Sequence, residues 1–287
     1  KYSGTKYCVG VGSGLGALEL ILKGYDIGKG DEVIIPANTF IATALAVSYA
    51  GATPVLVDVD EKTYNINPEL IESAITDKTK ALILNSPCNP TGAVYPDGRL
   101  MEIAALAVEK DIYVISDEIY ECLVYDGAVH TSIASFGPEI KDLTVVVNGL
   151  SKAYAMTGWR IGYTASNRRI ATAMANFQSH ATSNANSIAQ AASIAALDGD
   201  KNEQRSMISE FSRRRQYMMA RISAINGINA VNPRGAFYIF ANISGLFGKS
   251  CDGHIINSAM DFSSLLLEKA NVAVVPGEAF GDARCIR

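Results

Sequence analysis

The sequence predicts an α/β fold in which a mainly parallel sheet is flanked by helices and a smaller α/β domain follows at the C-terminal end. Three observations predict it. Hydrophobic residues make up 48% and charged residues 19% of the 287 positions, a balance typical of a folded protein with a large core. Short apolar runs alternate with helical patterns in the first part. The pattern changes after Asp198, where a long charged helical segment begins.

The first part contains short apolar runs that we predict as strands. Their continuous apolar character is typical of parallel strands that are buried on both faces. The predicted strands are Glu32–Pro36, Pro54–Asp58, Ala81–Asn85, Tyr113–Ser116, Thr144–Asn148 and Ile161–Ala165.

Helical patterns lie between these strands, and the clearest runs from Pro96 to Lys110. Its proline suits a first helical turn. Its apolar residues recur at the i, i+3, i+4 and i+7 spacing of one helix face, at Leu100, Ile103, Ala104 and Ala107.

The second part begins with a helical segment, Lys201–Ile225, whose run Arg213-Arg214-Arg215 we interpret as a solvated helix face. A strand, a helix and a last strand are predicted after it, at Ala236–Ala241, Asp261–Ala270 and Val272–Val275. We place the domain boundary near Tyr217. This gives a large domain over residues 1–216 and a small, incomplete domain over residues 217–287.

Charge and composition exclude several classes of function. The net charge of −4 gives no reason to expect a nucleic acid or an anionic membrane as partner. We find no signal peptide and no apolar run of the length that spans a bilayer. The five cysteines are scattered, which argues against a disulfide framework or a zinc site and favours the cytoplasm. No metal is expected, because the histidines lack ligand spacing and suit surface or packing roles: His130, His180 and His254.

The most informative motif follows the strand Thr144–Asn148. It reads G-L-S-K-A-Y-A-M-T-G-W-R-I-G and contains Lys152 and, eight residues later, Arg160. A lysine in a partly desolvated pocket has a lowered pKa and becomes a nucleophile for carbonyl groups. An arginine offers the fork of donors that suits a phosphate. The alternative is an exposed lysine at a strand end beside a structural arginine.

A second motif, S-D-E-I-Y, ends the strand Tyr113–Ser116. The carboxylate of Asp117 can pair with a protonated pyridine nitrogen and keep that ring an electron sink. Tyr120 can donate to a phenolic oxygen on the same ring. The alternative role for Asp117 is a helix N-cap, and both roles are compatible.

A third motif, N-S-P-C-N-P-T-G, follows the strand Ala81–Asn85. Its prolines and glycine predict a tight turn. Within that turn, Asn89 can donate a hydrogen bond to the phenolic oxygen of the same pyridine ring that Asp117 and Tyr120 would contact.

Upstream, the run from Gly12 to Leu18 opens a helix whose N-terminal N–H groups can bind a phosphate. The run also matches a weak dinucleotide fingerprint, which would indicate a nicotinamide oxidoreductase. That fingerprint requires an acidic residue at the end of the next strand, and the sequence there is Pro36-Ala37-Asn38. Another alternative is that the glycines only pack a helix against a strand.

These motifs together resemble the class I and II aminotransferases of the type I pyridoxal phosphate (PLP) fold. From about Lys80 to Arg287 the chain is most similar to the bacterial aspartate aminotransferase group, with the further motifs S-N-A-N-S-I-A-Q, P-R-G-A-F-Y and V-V-P-G-E-A-F-G. Residues 1–75 instead resemble the nucleotide-sugar aminotransferases, through T-K-Y-C-V-G, P-A-N-T-F-I-A-T and T-Y-N-I. We therefore consider the hypothesis that the chain is composite.

The resemblance implies a role for each site residue. Lys152 would bind PLP covalently as a Schiff base, Asp117 would pair with the pyridine nitrogen, and Tyr120 and Asn89 would donate to the ring oxygen. The phosphate would be bound by Arg160 and by backbone N–H groups near Gly14 and Leu15. Phe40 would stack on the ring, its alternative being an ordinary core residue. Arg287 would bind the substrate α-carboxylate beside Asn89, although as a terminal residue it is expected to fray.

The predicted function is transfer of an amino group between an α-amino acid, aspartate first, and a 2-oxo acid. The resemblance also implies a homodimer, with the segment Ser183–Gln190 near the neighbouring subunit's cofactor. Two alternatives stay open beside the oxidoreductase. They are an aminotransferase acting on a nucleotide sugar, and a truncated PLP-fold scaffold without activity.

Overall fold

In a computed structural model the structure describes residues 2–61 and 63–287, so that Lys1 and Lys62, both inside the predicted large domain, lie outside it. The central sheet is built from β1 (Tyr7–Val11), β2 (Glu32–Pro36), β3 (Thr53–Val57), β4 (Thr79–Asn85), β5 (Tyr113–Asp117), β6 (Thr144–Gly149) and β7 (Gly162–Ser166). These strands have the order β1-β7-β6-β5-β4-β2-β3.

The sheet is mainly parallel, as predicted. Strands β2 to β6 run parallel to one another. The edge differs, because β7 is antiparallel to β6 and β1 is antiparallel to β7. Strand β1 is absent from the prediction. Its partner lies about 150 positions away along the chain, so local sequence gives no indication of the pairing.

Helices cover both faces of the sheet. They are α1 (Gly14–Gly24), α2 (Ala42–Ala50), α3 (Pro68–Ala74), α4 (Asp97–Glu109), α5 (Pro138–Leu143), α6 (Arg168–Ala181), α7 (Ser187–Asp198), α8 (Asn202–Ser223) and α9 (Ala259–Ala270). Successive strand residues point to opposite faces. Val33 and Ile35 therefore pack with α1, α2 and α6, whereas Ile34 packs with α3, α4 and α5. The continuous apolar runs of the sequence are explained by these two cores.

The C-terminal part forms small antiparallel sheets. Its strands are β8 (Asn229–Ala230), β9 (Ala241–Asn242), β10 (Ser250–Cys251), β11 (His254–Ile255) and β12 (Cys285–Ile286). Strand β9 lies between β8 and β12, and β10 pairs with β11. The expected smaller α/β portion is therefore present. Tyr217 lies inside the continuous helix α8, and the boundary there stays a prediction.

Two predicted strands of this part are wrong. In Ala236–Ala241 only the last residue is in a strand, because Ala236 has a left-handed φ of 55° and its N–H donates to the Leu123 carbonyl. The apolar side chains there do not form a sheet face, because Tyr238 packs with Tyr120 in one cluster and Phe240 packs with Phe280 in another. Val272–Val275 is not a strand either, since the Val272 N–H donates back to Leu266 in α9.

The arginine run on α8 is only partly solvated. Arg213 and Arg214 are exposed and pair with Glu210, as expected. Arg215 instead is 6% exposed and donates to the Asp126 carboxylate at 2.6 Å and to the Asn232 side chain at 2.7 Å. Interpretation of Arg215 as a solvated residue is therefore wrong. Within the described ranges no helix has the length and apolar character needed to cross a membrane.

Candidate active site

The polar side chains of the second and third motifs meet where β4 and β5 end. Asn85 and Asp117 are register partners at the carboxyl ends of these neighbouring parallel strands. The Asn85 side chain donates to the Asp117 carbonyl at 3.3 Å and accepts from the Asn89 N–H at 2.8 Å. Asn85 thus fixes the turn that carries Asn89 against the end of β5, which is where ligands bind in open parallel sheets.

A cavity of about 540 Å³ opens at this edge of the sheet. The structure brings every site residue named from the sequence to its wall. They are Gly14, Leu15, Phe40, Asn89, Asp117, Tyr120, Lys152, Arg160 and Arg287.

Asp117 ends β5 and is followed by a turn rather than a helix, so the helix N-cap alternative is wrong. Its carboxylate accepts a 3.2 Å hydrogen bond from the Ile119 N–H. Burial raises the pKa of the Asp117 carboxyl to about 6. The hydrogen bond from Ile119 acts in the opposite direction and offsets part of this increase. Among residues 2–61 and 63–287, no cation lies within 4.0 Å of this carboxylate. The carboxylate therefore favours a cationic ligand.

Lys152 lies three residues after the end of β6, in a turn. Gly149 is needed at that strand end, because a Cβ there would lie 3.0 Å from the Gly162 backbone. Burial, followed by the positive charges of Arg287 and Arg160, lowers the pKa of the Lys152 amine. A lysine with a lowered pKa is more often neutral, the form that attacks a carbonyl. The exposed, purely structural lysine is thus the weaker interpretation.

The N-terminus of α1 and Arg160 form the end of the cavity that suits a phosphate. Ser13 caps α1 by accepting from the Gly16 N–H at 3.1 Å. A Cβ on Gly14 would meet nothing within 4 Å, so packing does not require glycine there. Arg160 is exposed and has a left-handed φ of 51°. Its guanidinium donates to the Thr157 carbonyl at 2.9 Å and keeps further donors for an anion.

The topology contradicts the dinucleotide interpretation of the glycine-rich run. In a dinucleotide-binding unit the strand before the glycines is parallel to the next one in a βαβ arrangement. Strand β1 is instead an edge strand that is antiparallel to β7. The glycines therefore open a helix outside any such unit.

Phe40 lines the cavity and is 46% exposed. A core residue of this size would be fully packed, so the alternative of an ordinary core phenylalanine is wrong. The exposed ring is available to contact a planar ligand.

Arg287 is held in place at the end of the described chain. Its N–H donates to the Val275 carbonyl at 2.8 Å and its carbonyl accepts from the Val275 N–H at 3.0 Å. Its guanidinium donates to the Asn89 side-chain oxygen at 2.8 Å. The expectation that Arg287 frays is therefore wrong, because two backbone hydrogen bonds extend the pairing of β12.

Tyr120 is buried, and its hydroxyl is hydrogen-bonded to the hydroxyl of Tyr238 at 2.8 Å. Burial raises the pKa of Tyr120 well above its ordinary range, so the hydroxyl stays protonated. Tyr238 also lines the cavity, a placement that the sequence pattern did not predict. Its position in the motif P-R-G-A-F-Y was the available indication.

Three residues outside the cavity lining form a cluster that sequence spacing did not predict. One ligand-type atom from each of Glu118, Glu121 and His130 lies within 4.8 Å of the others. His130 Nε2 is 3.1 Å from the buried Glu118 carboxylate, which also accepts from Ser116 and Ser132 hydroxyls. His130 is therefore a packing residue, whereas His180 and His254 lie at the surface. Packing and surface positions were the two roles expected for the histidines.

The donor set of the cavity fits PLP. Asp117 is a buried carboxylate that needs a positive partner, and a protonated pyridine nitrogen provides one. Lys152 is an amine with a lowered pKa on the same wall. The open space at Gly14 beside the N-terminus of α1 suits a phosphate.

Comparisons with known proteins agree with this arrangement. The model of the family "Aminotransferase class I and II" matches residues 3–287. An aspartate aminotransferase of Bacillus sp. (strain YM-2) is 43% identical over 277 residues, which are 96% of this chain and 70% of that protein. An aspartate aminotransferase of Bacillus subtilis (strain 168) is 42% identical over 258 residues, 90% of this chain and 65% of its own length.

Solved structures of aminotransferases also superpose on this chain. The aspartate aminotransferase from Rhizobium meliloti superposes with a TM-score of 0.92 at 37% identity, over 98% of this chain and 70% of that one. The chain thus spans about two thirds of the length of the relatives it matches. Because one family model covers nearly every residue and relatives above 40% identity cover nine tenths of the chain, this chain belongs to the class I and II aminotransferase family.

Proposed function

We propose that this chain is a PLP-dependent aminotransferase that moves an amino group between an α-amino acid and a 2-oxo acid. One observation carries the proposal. An amine with a lowered pKa, Lys152, and a carboxylate-binding guanidinium, Arg287, line the same cavity, and the charge of Arg287 contributes to lowering the pKa of Lys152. An α-amino acid has an amino group to transfer and a carboxylate to bind.

Lys152 is the proposed base and acid. PLP, when bound, supplies an aldehyde for the amino group and a ring that withdraws electrons from the α-carbon. Lys152 would hold this cofactor through its side-chain amine. When that amine is free, it would accept the α-proton of the substrate as a base and give it up again as an acid. Its half-buried position limits competing protonation by water.

The other residues hold the ligands. Asp117 would keep a proton on the pyridine nitrogen, and Tyr120 and Asn89 would donate to the ring oxygen. Arg160 and the N–H groups of Gly14 and Leu15 would bind the phosphate, and Phe40 would contact the ring. The side-chain oxygen of Asn89 accepts from Arg287, and the side-chain amide nitrogen, which is the donor of that group, would donate to the ring oxygen.

Aspartate is the proposed amino donor. Arg287 offers two parallel hydrogen bonds to a carboxylate, a geometry that suits every α-amino acid. The two Bacillus relatives are named aspartate aminotransferases, and this supports aspartate as first choice.

The alternative, amination of a nucleotide sugar, rests on residues 1–75. Arg287 argues against it, because a sugar lacks the carboxylate. The class I and II family model matches residues 3–287 and so accounts for residues 1–75 as well as for the rest of the chain. The composite origin stays a hypothesis without further support. An inactive scaffold is the remaining alternative and is decided by experiment.

A homodimer is also part of the proposal. Several apolar side chains are exposed in the single chain, among them Trp159 at 47%, Ile188 at 70% and Ile194 at 63%. Ile188 lies in the segment Ser183–Gln190, and burial of such side chains against a second copy is typical of obligate interfaces. All five cysteines are free, which supports the proposed cytoplasmic location.

The experiment is a titration of the PLP-loaded protein with aspartate, glutamate and alanine, followed by absorbance of the cofactor. The pyridoxamine-loaded protein is titrated in parallel with a keto-sugar nucleotide. We expect aspartate to convert the cofactor in a single turnover. Conversion by the sugar nucleotide alone would assign the function to the alternative, and PLP binding without conversion by any compound would indicate the scaffold.

A further inference from the structure

Tyr238 lies on the cavity wall between the residues proposed for the cofactor and the residue proposed for the substrate carboxylate. Its hydroxyl is 2.8 Å from the hydroxyl of Tyr120. The centre of its ring is 4.4 Å from the guanidinium carbon of Arg287. A single side chain therefore contacts both halves of the site with two different groups.

Either hydroxyl can be the donor in the hydrogen bond between Tyr120 and Tyr238, so the direction of the Tyr120 proton depends on Tyr238. Tyr120 has a single hydroxyl proton, which can go either to Tyr238 or to a ligand in the cavity. If Tyr238 donates to Tyr120, the Tyr120 proton is free to point at the ring oxygen. A hydroxyl that accepts a hydrogen bond also becomes a stronger donor, because linked hydrogen bonds polarise one another.

The ring of Tyr238 holds Arg287. The guanidinium lies over Tyr238 and also over Phe280, whose ring centre is 4.7 Å from its central carbon. Asn89 accepts from one of its nitrogens at 2.8 Å. Aromatic faces attract a guanidinium and leave its edge free, and that edge is where a carboxylate binds.

We propose that Tyr238 is a positioning residue that orients the Tyr120 proton with its hydroxyl and the Arg287 fork with its ring. The proposal rests on the proposed function for the identity of the two ligands. The two effects are separable, because phenylalanine keeps the ring and loses the hydroxyl, whereas leucine loses both.

The test compares Tyr238→Phe and Tyr238→Leu with the wild type. Tyr217→Phe is the matched control, since Tyr217 lies on α8 and is 64% exposed. Two quantities are measured. One is the pH midpoint of the absorbance of the lysine-bound cofactor. The other is the Kd of the apoprotein for maleate, an unreactive dicarboxylate, by calorimetry.

Loss of the hydroxyl in Tyr238→Phe removes the hydrogen bond that polarises Tyr120 and so weakens its donation to the ring oxygen. The midpoint should rise by about 0.1 to 0.7 pH unit, roughly 10–30% of one hydrogen bond to a charged group. The Kd for maleate should stay within about twofold in this variant, because the ring is retained. In Tyr238→Leu the Kd should increase roughly 2- to 30-fold, the range of a cation–π contact.

An unchanged midpoint in Tyr238→Phe overturns the role of the hydroxyl, and equal maleate affinities of the two variants overturn the role of the ring. If the wild type takes up no PLP, the proposed function fails, and the maleate measurement on the apoprotein still decides the role of the ring. If the leucine variant does not fold, Tyr238→Phe alone decides the role of the hydroxyl.

Discussion

Arg287 donates a 2.8 Å hydrogen bond to the side-chain oxygen of Asn89, although 198 positions separate the two residues. Asn89 is itself held by Asn85 at the end of β4. Arg287 is held by the backbone of Val275. The hydrogen bond therefore connects the central sheet with the C-terminal part, across the cavity that contains Lys152.

Arg287→Lys should weaken binding of maleate or aspartate by about 10- to 100-fold. A lysine ammonium cannot form the two parallel hydrogen bonds of a guanidinium, and losing one such bond costs roughly 1.4 to 2.8 kcal/mol. Arg284→Lys is the control, because Arg284 pairs with Asp282 outside this cavity. Similar affinities in the two variants would mean that Arg287 does not bind the carboxylate.

Lys152→Ala should abolish covalent capture of PLP. After borohydride reduction and peptide mapping, the wild type should carry its label on Lys152 alone. Lys78→Ala, which removes an exposed lysine, should label like the wild type. A label on any other lysine would contradict the assignment, since the turn after β6 is where the lowered pKa is found.

Asp117→Asn should slow the half-reaction with aspartate and stabilise the apoprotein. The amide cannot keep the pyridine nitrogen protonated, so we expect a loss of at least ~10² in the single-turnover rate. In the apoprotein, the folded pKa of about 6 lies above the ordinary value of 3.8. The folded state therefore binds more protons than the unfolded state between these values, and stability falls as pH rises through them.

Above pH 6 this ionisation costs the wild-type apoprotein about 3 kcal/mol relative to low pH. Asparagine does not ionise, so Asp117→Asn does not have this cost. Its free energy of unfolding in urea should be about 1–3 kcal/mol higher than that of the wild type at pH 8, and nearly equal to it below pH 4. Equal stability at both pH values together with normal turnover would show that the carboxylate only caps its turn.

Arg215→Met should destabilise the protein by about 1–3 kcal/mol, because it removes the hydrogen bonds to Asn232 and the Pro233 carbonyl and the ion pair with the exposed Asp126. Arg214→Met, the same change one residue earlier, removes only an exposed pair with Glu210 and should cost less than about 1 kcal/mol. Urea unfolding of the two variants measures the difference. Equal midpoints would contradict the buried role of Arg215.

The sequence by itself determined the parallel part of the sheet and the residues of the site. Glu32–Pro36 and Thr144–Asn148 contain continuous apolar runs, which are typical of strands buried on both faces. Lys152, Asp117 and Asn89 each lie within about four residues of the end of such a run. Since the carboxyl ends of parallel strands share one edge of the sheet, their convergence in one cavity is expected before any coordinates are seen.

Only the tertiary structure decided which residues pair across long distances. The antiparallel edge β1–β7, the buried Arg215 and the hydrogen bond of Arg287 to Asn89 each join residues that are remote in the chain. Tyr238 is a further example. It lies in a segment predicted as a strand, but its contacts with Tyr120 and Arg287 place it on the wall of the site. A local sequence pattern reports the propensity and burial of its own residues, whereas the partner of a polar group is fixed only when distant segments pack together.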